Sequence, residues 1–422
     1  MLQEFKNNFS IVLFINIIQK IFSYGIFFIL AIILPHETYG LFETIFSIGS
    51  FGILVFGFQA ESAFARYYYI ERERKNIPSA ILNIILIYLI GATLFFVILP
   101  FFISSFNIEN LAIYLTIFLF SNLIYGLILI RLRYELNFEK FLLYAIADIV
   151  FFLSLLLFFF TQSLLSQQTL ILLFSLPKII LILFQFVRFS DFKSLSISLE
   201  RILKYLKYSI NIVPVVLINF GIILYSRLLV LNNFDSIQLS NFSMALRISM
   251  GYLFLNEVFR FLVDPILIKK EKDNIEESLV VVFNSYSKIL FYFNCLMILI
   301  FLFLDSFFLQ IKFQNLSFLV PILFLSNFLN VLINFFVLIN NLSFKTFYNF
   351  VSYLCGLFFF ISTIYFFHNN ILNYLVSILI FNITTLISIF FLAKKSYNLG
   401  YSFKYFFASL FILISFIYLN CV

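Results

Sequence analysis

The amino-acid sequence predicts an all-α integral membrane protein with two lobes of six spans each and a possible extra span at the C-terminus. Three observations predict this fold class: the composition, a nearly continuous series of apolar runs, and the placement of basic residues. Of 422 residues, 63% are hydrophobic and only 11% are charged. Soluble domains contain about 25% charged residues. This chain could not cover its surface with polar groups in water, whereas a bilayer requires no such cover.

The apolar runs have the length that a membrane requires. A spanning helix needs about 20 consecutive apolar residues, because only a helix satisfies its backbone hydrogen bonds within its own segment. Hydropathy predicts thirteen segments of this kind, at residues 9–34, 38–65, 79–104, 109–130, 141–160, 168–187, 209–231, 238–264, 280–308, 316–340, 346–367, 371–392 and 403–419. Residues 1–187 then form the first lobe and 209–392 the second. The segment 403–419 is the shortest, and its membrane crossing is left open.

The connection between the lobes, residues 188–208, carries a helical pattern. Apolar residues recur at helical spacing from Leu199 to Leu206, and Arg201, Lys204 and Lys207 lie between them. This pattern predicts an amphipathic helix at the membrane surface. An ordinary charged linker fits the same residues equally well.

Basic residues predict the orientation of the spans. If the N-terminus is cytoplasmic, nearly all Lys and Arg residues outside the spans lie in cytoplasmic segments, and the opposite loops contain Lys312 alone. This asymmetry follows the positive-inside rule. We therefore expect a multi-pass protein of the bacterial inner membrane with a cytoplasmic N-terminus. The net charge of +7 then reflects topology and attraction to anionic lipids, and predicts no nucleic-acid partner.

Ionisable residues inside the predicted spans are the main functional signal. A charge at the bilayer centre costs about 2.5–3.5 kcal/mol on insertion scales, so such residues usually face a cavity or a partner. The basic candidates are Lys20, Lys178, Arg227 and Arg247, and the acidic ones are Glu61, Asp148 and Glu257. Corresponding helices of the two halves carry most of them, which predicts a central aqueous cavity. Alternatively, Arg227 extends to the outer surface, and each of the acidic candidates is half of a structural ion pair, such as that of Glu257 with Arg260.

Uncharged polar residues follow one face of several spans. The candidates for cavity lining are Asn16, Ser47, Ser50, Asn219 and Asn334. Polar side chains at such positions also hold membrane helices together through hydrogen bonds. The sequence leaves both interpretations open.

Cationic groups in a cavity predict an anionic cargo, because Lys and Arg pair directly with the oxygens of a diphosphate. The embedded carboxylates are candidates for coupling to a proton or another cation. We expect no enzyme activity, catalytic residue, metal or cofactor. The outer loops are too short for a catalytic domain, the only histidines, His36 and His368, lie in separate loops, and there is no P-loop.

Three stretches resemble a known family when taken together and in this order. The first is Leu34–Phe42, where a proline and an acidic residue precede Tyr39 and Gly40. The second is Phe242–Ile248, and the third is Asp264–Leu267 followed by the charged segment Lys269–Glu277. The chain resembles the Wzx-type translocases of O-antigen and other polysaccharide repeat units, which belong to the MOP flippase superfamily.

The resemblance implies a MATE-like twelve-helix core that opens alternately to the two sides. The implied cargo is an undecaprenyl-diphosphate-linked oligosaccharide, moved from the cytoplasmic to the periplasmic leaflet. Lys20, Arg227 and Arg247 would correspond by position to a cationic lumen. Membrane lipids and polysaccharide polymerase or assembly proteins are the further expected partners. The alternatives are a MATE-like cation-coupled multidrug exporter, for which an acidic lumen is expected, and a lipid-II-type flippase.

Overall fold

The structure is a computed structural model that describes residues 22, 25–73, 77–103, 111–135, 137–187, 196–252, 275–306, 313, 316–342, 345–366, 370–394 and 404–421. These residues form helices joined by short turns and contain no strand. The helices are α1 (25–33), α2 (His36–Phe56), α3 (Ala60–Glu73), α4 (Ile77–Ile103), α5 (Leu111–Tyr134), α6 (Phe138–Thr161), α7 (Gln167–Val187), α8 (Leu199–Ser209), α9 (Val213–Asn233), α10 (Ser236–Ser249), α11 (Ile275–Leu304), α12 (Leu316–Leu342), α13 (Thr346–Phe366), α14 (Ile371–Lys394) and α15 (Lys404–Cys421).

Within the described residues, 10 helices are long and apolar enough to cross a membrane, namely α2, α4 to α7, α9 and α11 to α14. The apolar part of α15, Lys404–Asn420, is shorter. The predicted all-helical membrane architecture is therefore confirmed. Of the first predicted span, 9–34, the structure describes little more than α1.

The second predicted span is not one helix. Residues 38–65 were expected to be continuous, but α2 ends at Phe56 and α3 begins at Ala60. Between them, Phe58 and Gln59 have φ angles of 50° and 51°, in the left-handed region. The Gln59 side chain donates a hydrogen bond to the carbonyl of Leu54 at 3.1 Å. The residues of α3 are more polar than those of α2, so the break lies where the apolar sequence of this span becomes weaker.

The chain divides into two compact units. The first unit comprises Met1–Ser23 and Phe42–Gly221, and the second comprises Tyr24–Leu41 and Ile222–Val422. The boundaries fall inside α2 and inside α9. The lobes proposed from the sequence have other boundaries, and that division remains a prediction.

Glycines allow close helix packing in the first unit, where α5 contacts α4, α6 and α7. A Cβ atom at Gly49 would lie 2.8 Å from the ring of Phe118 on α5, and one at Gly52 would lie 2.7 Å from the ring of Phe95 on α4. Small residues of this kind let membrane helices approach each other closely. They fix α2 against the two following spans.

The short helix α8 packs on α3 and α4. The Ser198 side chain caps its N-terminus by accepting a hydrogen bond from the amide of Arg201 at 3.3 Å. The ammonium of Lys204 lies 4.1 Å from the centre of the Tyr67 ring on α3, whereas Leu199 and Leu203 are exposed. The amphipathic helix expected in this connection is thus present over Leu199–Ser209. Its position at a membrane surface remains a prediction.

The second unit is built around α12, which is buried along nearly its whole length. It packs against α10, α13, α14 and α15. The Asn382 amide on α14 donates hydrogen bonds to the hydroxyl and the carbonyl of Ser326 at 2.7 and 3.2 Å. Asn340 donates to Asn349 on α13 at 2.8 Å. Asparagine side chains thus connect α12 to its neighbours.

Candidate functional site

The predicted site residues fall into three groups. Asn16, Lys20 and Glu257 lie outside the described residues. The first unit contains Ser47, Ser50, Glu61, Asp148, Lys178 and Asn219, and the second contains Arg227, Arg247 and Asn334. Each unit is treated separately below.

Two arginines are buried in consecutive helices of the second unit. Arg227 on α9 has no exposed surface, and Arg247 on α10 is 9% exposed. The carbon at the centre of the Arg247 guanidinium lies 3.5 Å from the centre of the Phe27 ring on α1. A desolvated cation–π contact of this kind is worth about 2 kcal/mol. One turn before Arg247, the buried Ser243 hydroxyl has no hydrogen-bond partner within the described part of the chain.

A short turn joins α9 to α10. The helix α9 ends at Asn233, and Asp235 caps α10 by accepting a hydrogen bond from the amide of Gln238 at 2.6 Å. The α10 residues from Leu239 to Ser249 are all buried. Because so polar a helix is costly to bury, its Ser, Asn and Arg side chains require polar or aromatic neighbours. This part of the second unit is the best candidate for an anion-binding region.

The beginning of α2 packs against the beginning of α10. The His36 ring nitrogen Nδ1 lies 3.2 Å from the Ser240 hydroxyl, and the Tyr39 hydroxyl donates to the sulfur of Met244 at 3.5 Å. A Cβ atom at Gly40 would lie 3.0 Å from the backbone nitrogen of Ser240. Two of the stretches that carry the family resemblance therefore contact each other, which sequence spacing did not reveal.

The first unit contains an internal ion pair. The Lys178 ammonium on α7 lies 3.6 Å from the Asp148 carboxylate on α6, and these side chains are only 13% and 18% exposed. Lys178 also donates to the Phe174 carbonyl at 2.8 Å. Nearby, the Tyr125 hydroxyl donates to the Tyr144 carbonyl at 3.0 Å. Two residues that the sequence analysis assigned to cargo binding and to ion coupling thus compensate each other's charge.

The predicted lining residues bond mainly within their own helices. Ser47 donates to the Glu43 carbonyl at 2.7 Å, and Ser50 donates to the Phe46 carbonyl at 2.8 Å. Asn334 donates to the Asn330 side chain at 3.2 Å. Together with Asn219, these residues are half-buried, and their role in a cavity remains a prediction.

The fold is similar to that of solved transporters. One similar structure is the outward-facing conformation of a multidrug resistance MATE family transporter of the MOP superfamily, with 15% identity over 92% of this chain and 94% of that chain and a TM-score of 0.65. An inward-facing conformation of such a transporter has 14% identity over 89% and 94% and a TM-score of 0.64. A MATE structure in the bent conformation has 15% identity over 98% and 96% and a TM-score of 0.60.

These likenesses confirm the predicted MATE-like fold. No family model and no curated protein matches the sequence. At this level of identity the comparison shows the architecture alone. An argument about the cargo has to come from the side chains of this chain.

Proposed function

We propose that the chain is a secondary transporter that flips an undecaprenyl-diphosphate-linked oligosaccharide across the bacterial inner membrane. The MATE-like fold supports transport, because its known members are transporters in both inward-facing and outward-facing conformations. Alternating opening of such a fold moves a cargo without covalent chemistry. The proposal includes a cytoplasmic N-terminus, and polysaccharide polymerase or assembly proteins as partners.

The observation that carries the cargo assignment is the pair of buried arginines in the second unit. Arg227 and Arg247 hold positive charge inside the bundle, and guanidinium groups bind phosphate oxygens in a bidentate manner. Arg227 has no exposed surface in this conformation, so direct contact with a cargo requires α9 and its neighbours to rearrange. Such rearrangement is inherent in alternating access. A diphosphate headgroup matches these side chains better than a cationic drug does.

The second candidate is multidrug export. The similar structures favour it, since two of them are described as multidrug resistance transporters. An exporter of organic cations would rely on the carboxylates of the first unit, Glu61 and Asp148. Because Asp148 is paired with Lys178, it offers less free negative charge to such a cargo.

A deletion strain separates these functions. For the flippase, undecaprenyl-linked repeat units accumulate on the cytoplasmic leaflet and surface polysaccharide is lost, as measured by extraction and analysis of lipid-linked intermediates. Unchanged lipid-linked glycan together with hypersensitivity to cationic drugs would instead establish the exporter.

A point variant tests the role of the cation. Arg247→Gln removes the charge and keeps much of the side-chain volume, so we expect surface polysaccharide export to fall about tenfold or more, corresponding to loss of one charged hydrogen bond. Lys394→Gln is the matched control, because Lys394 is an exposed cation at the end of α14. Protein level is measured by immunoblot. Full export in the Arg247 variant at normal protein level would remove the argument for an anionic cargo.

A further inference from the structure

The short helix α8 has an apolar face that the described part of the chain leaves largely uncovered. Leu203 and Ile210 follow Leu199 after four and eleven residues, so the three side chains project from one side of the helix. They are 70% (Leu199), 56% (Leu203) and 54% (Ile210) exposed. Apolar side chains that are exposed together on one face of a helix indicate a binding surface.

Another side of α8 is fixed to the first unit. Tyr205 is fully buried, and its ring stacks on that of Tyr67 of α3 with 5.8 Å between the ring centres. The Lys204 ammonium lies over the same Tyr67 ring. Because Tyr205 occupies the side that faces the protein, α8 cannot turn Leu199 and Leu203 inward without losing these contacts.

Four hydrogen bonds hold the residues before α8 at the beginning of α4. The amide and the hydroxyl of Ser196 both donate to the Ser79 hydroxyl, at 3.1 and 3.2 Å. The Ser198 amide donates to the side-chain oxygen of Asn83 at 3.0 Å, and the Asn83 amide donates to the Ser196 carbonyl at 3.2 Å. At a rise of 1.5 Å per residue, Ser79 and Asn83 lie only about 3 and 9 Å from the first residue of α4.

The other end of α8 leads directly into a second spanning helix. The helix α9 begins at Val213, four residues after Ser209, and the Ile212 amide bonds the Ser209 carbonyl at 2.9 Å. Since α4 and α9 are both long and apolar enough to cross a membrane, each end of α8 lies where a span begins. This position matches that of an interfacial helix, whose apolar face is buried about 5–10 Å into the membrane boundary.

The charge of α8 is predominantly positive. Arg201, Lys204 and Lys207 outnumber the single acidic residue, Glu200. Among the described residues no ion pair involves Lys204 or Lys207. Lys207 is exposed and follows Leu203 by one turn, so it borders the apolar face. An anionic phospholipid matches this surface, because it offers acyl chains to the apolar face and a phosphate to the cation at its edge.

We propose that α8 binds anionic phospholipids in the membrane leaflet at which α4 and α9 begin. Leu199, Leu203 and Ile210 enter the acyl region, and Lys207 pairs with the phosphate groups. A second copy of the chain is a weaker match, because it would bring the same positive charge to the surface. The binding does not depend on which cargo is carried, so it goes beyond the proposed flippase function.

Tryptophan fluorescence tests this binding, because the chain contains no Trp of its own. Full-length protein with Leu203→Trp is reconstituted into vesicles of equal parts phosphatidylglycerol and phosphatidylcholine, with bromine on the acyl chains of one lipid or the other. Bromine quenches tryptophan on contact, and we expect stronger quenching by brominated phosphatidylglycerol. Leu299→Trp, at an exposed apolar site of α11, is the matched control and should be quenched equally by the two lipids.

A second substitution in the Leu203→Trp protein tests the role of the cation. A Lys near an anionic surface contributes about 1 kcal/mol, which corresponds to about fivefold in binding. We therefore expect Lys207→Gln to lower the preference for phosphatidylglycerol about fivefold. Lys394→Gln, which removes an exposed cation at the end of α14, should leave the preference unchanged.

Equal quenching by the two brominated lipids in Leu203→Trp would overturn the preference for anionic lipid. Quenching by neither lipid would overturn the membrane contact, and the water-soluble quencher acrylamide would then show whether water or another protein copy meets this face. If Leu203→Trp does not fold, Ile210→Trp is the reporter on the same face. The vesicles contain no lipid-linked glycan, so failure of this proposal and failure of the flippase proposal are distinguishable.

Discussion

The two units stabilise embedded charge in different ways. In the first unit, Asp148 and Lys178 on neighbouring helices are 3.6 Å apart and compensate each other. In the second unit, the Arg247 guanidinium packs on the Phe27 ring at 3.5 Å. The first unit thus places two opposite charges together, whereas the second places a guanidinium on an aromatic face.

The largest expected effect comes from breaking the ion pair of the first unit. Asp148→Leu and Lys178→Met each leave one embedded charge uncompensated, which costs about 3–5 kcal/mol for a fully buried pair. We expect somewhat less here, because both side chains keep some exposure. The double variant removes both charges and should recover most of the stability. Unfolding of the purified proteins in detergent gives the unfolding free energy of each single variant and of the double variant. If the losses of unfolding free energy add up in the double variant, the two charges do not compensate each other.

The fold could be predicted because its signals are local. The length and hydropathy of each apolar run depend on its own residues, and every predicted segment from 79–104 to 371–392 except 238–264 contains a helix long and apolar enough to cross a membrane. Of 238–264 the structure describes only residues 238–252, and α10 ends within them at Ser249. The break at Gly57–Gln59 was missed for the same reason. It depends on contacts such as that between Gly91 and the Phe56 carbonyl, and these residues are far apart in the sequence.

A second comparison uses glycines that pack closely in each unit. A Cβ atom at Gly91 would collide with the backbone carbonyl of Phe56, whereas one at Gly356 would meet the side chains of Thr385 and Phe381. Side chains can change rotamer, but a helix backbone must shift as a whole. We therefore expect Gly91→Ala to cost about 3 kcal/mol and Gly356→Ala about 1 kcal/mol, the limits typical of overpacking.

Gly25→Ala is the matched control for both variants, since nothing lies within 4 Å of its added methyl group. Thermal unfolding of the three variants in the same detergent ranks them by stability. Equal losses of stability in Gly91→Ala and Gly356→Ala would mean that the backbone at the break between α2 and α3 can shift to accommodate the methyl group.

The candidate site was less accessible to sequence reasoning. Partners on separate helices cannot be deduced from one sequence. Lys178 was expected to bind cargo, and Asp148 either to couple ions or to form a structural ion pair; the structure shows the ion pair, with Lys178 as the partner that the sequence did not identify.

The smallest expected effect concerns the polar contacts that hold α12 in the second unit. The Asn382 amide bonds both the hydroxyl and the carbonyl of Ser326. Interhelical hydrogen bonds in membranes average about 0.6 kcal/mol and reach about 1.7 kcal/mol. In a double-mutant cycle, Asn382→Leu and Ser326→Ala should therefore couple by about 1 kcal/mol in unfolding free energy, with export unchanged. A loss of export at unchanged stability would instead place this pair on the transport path and move the functional region of the second unit from α10 toward α14.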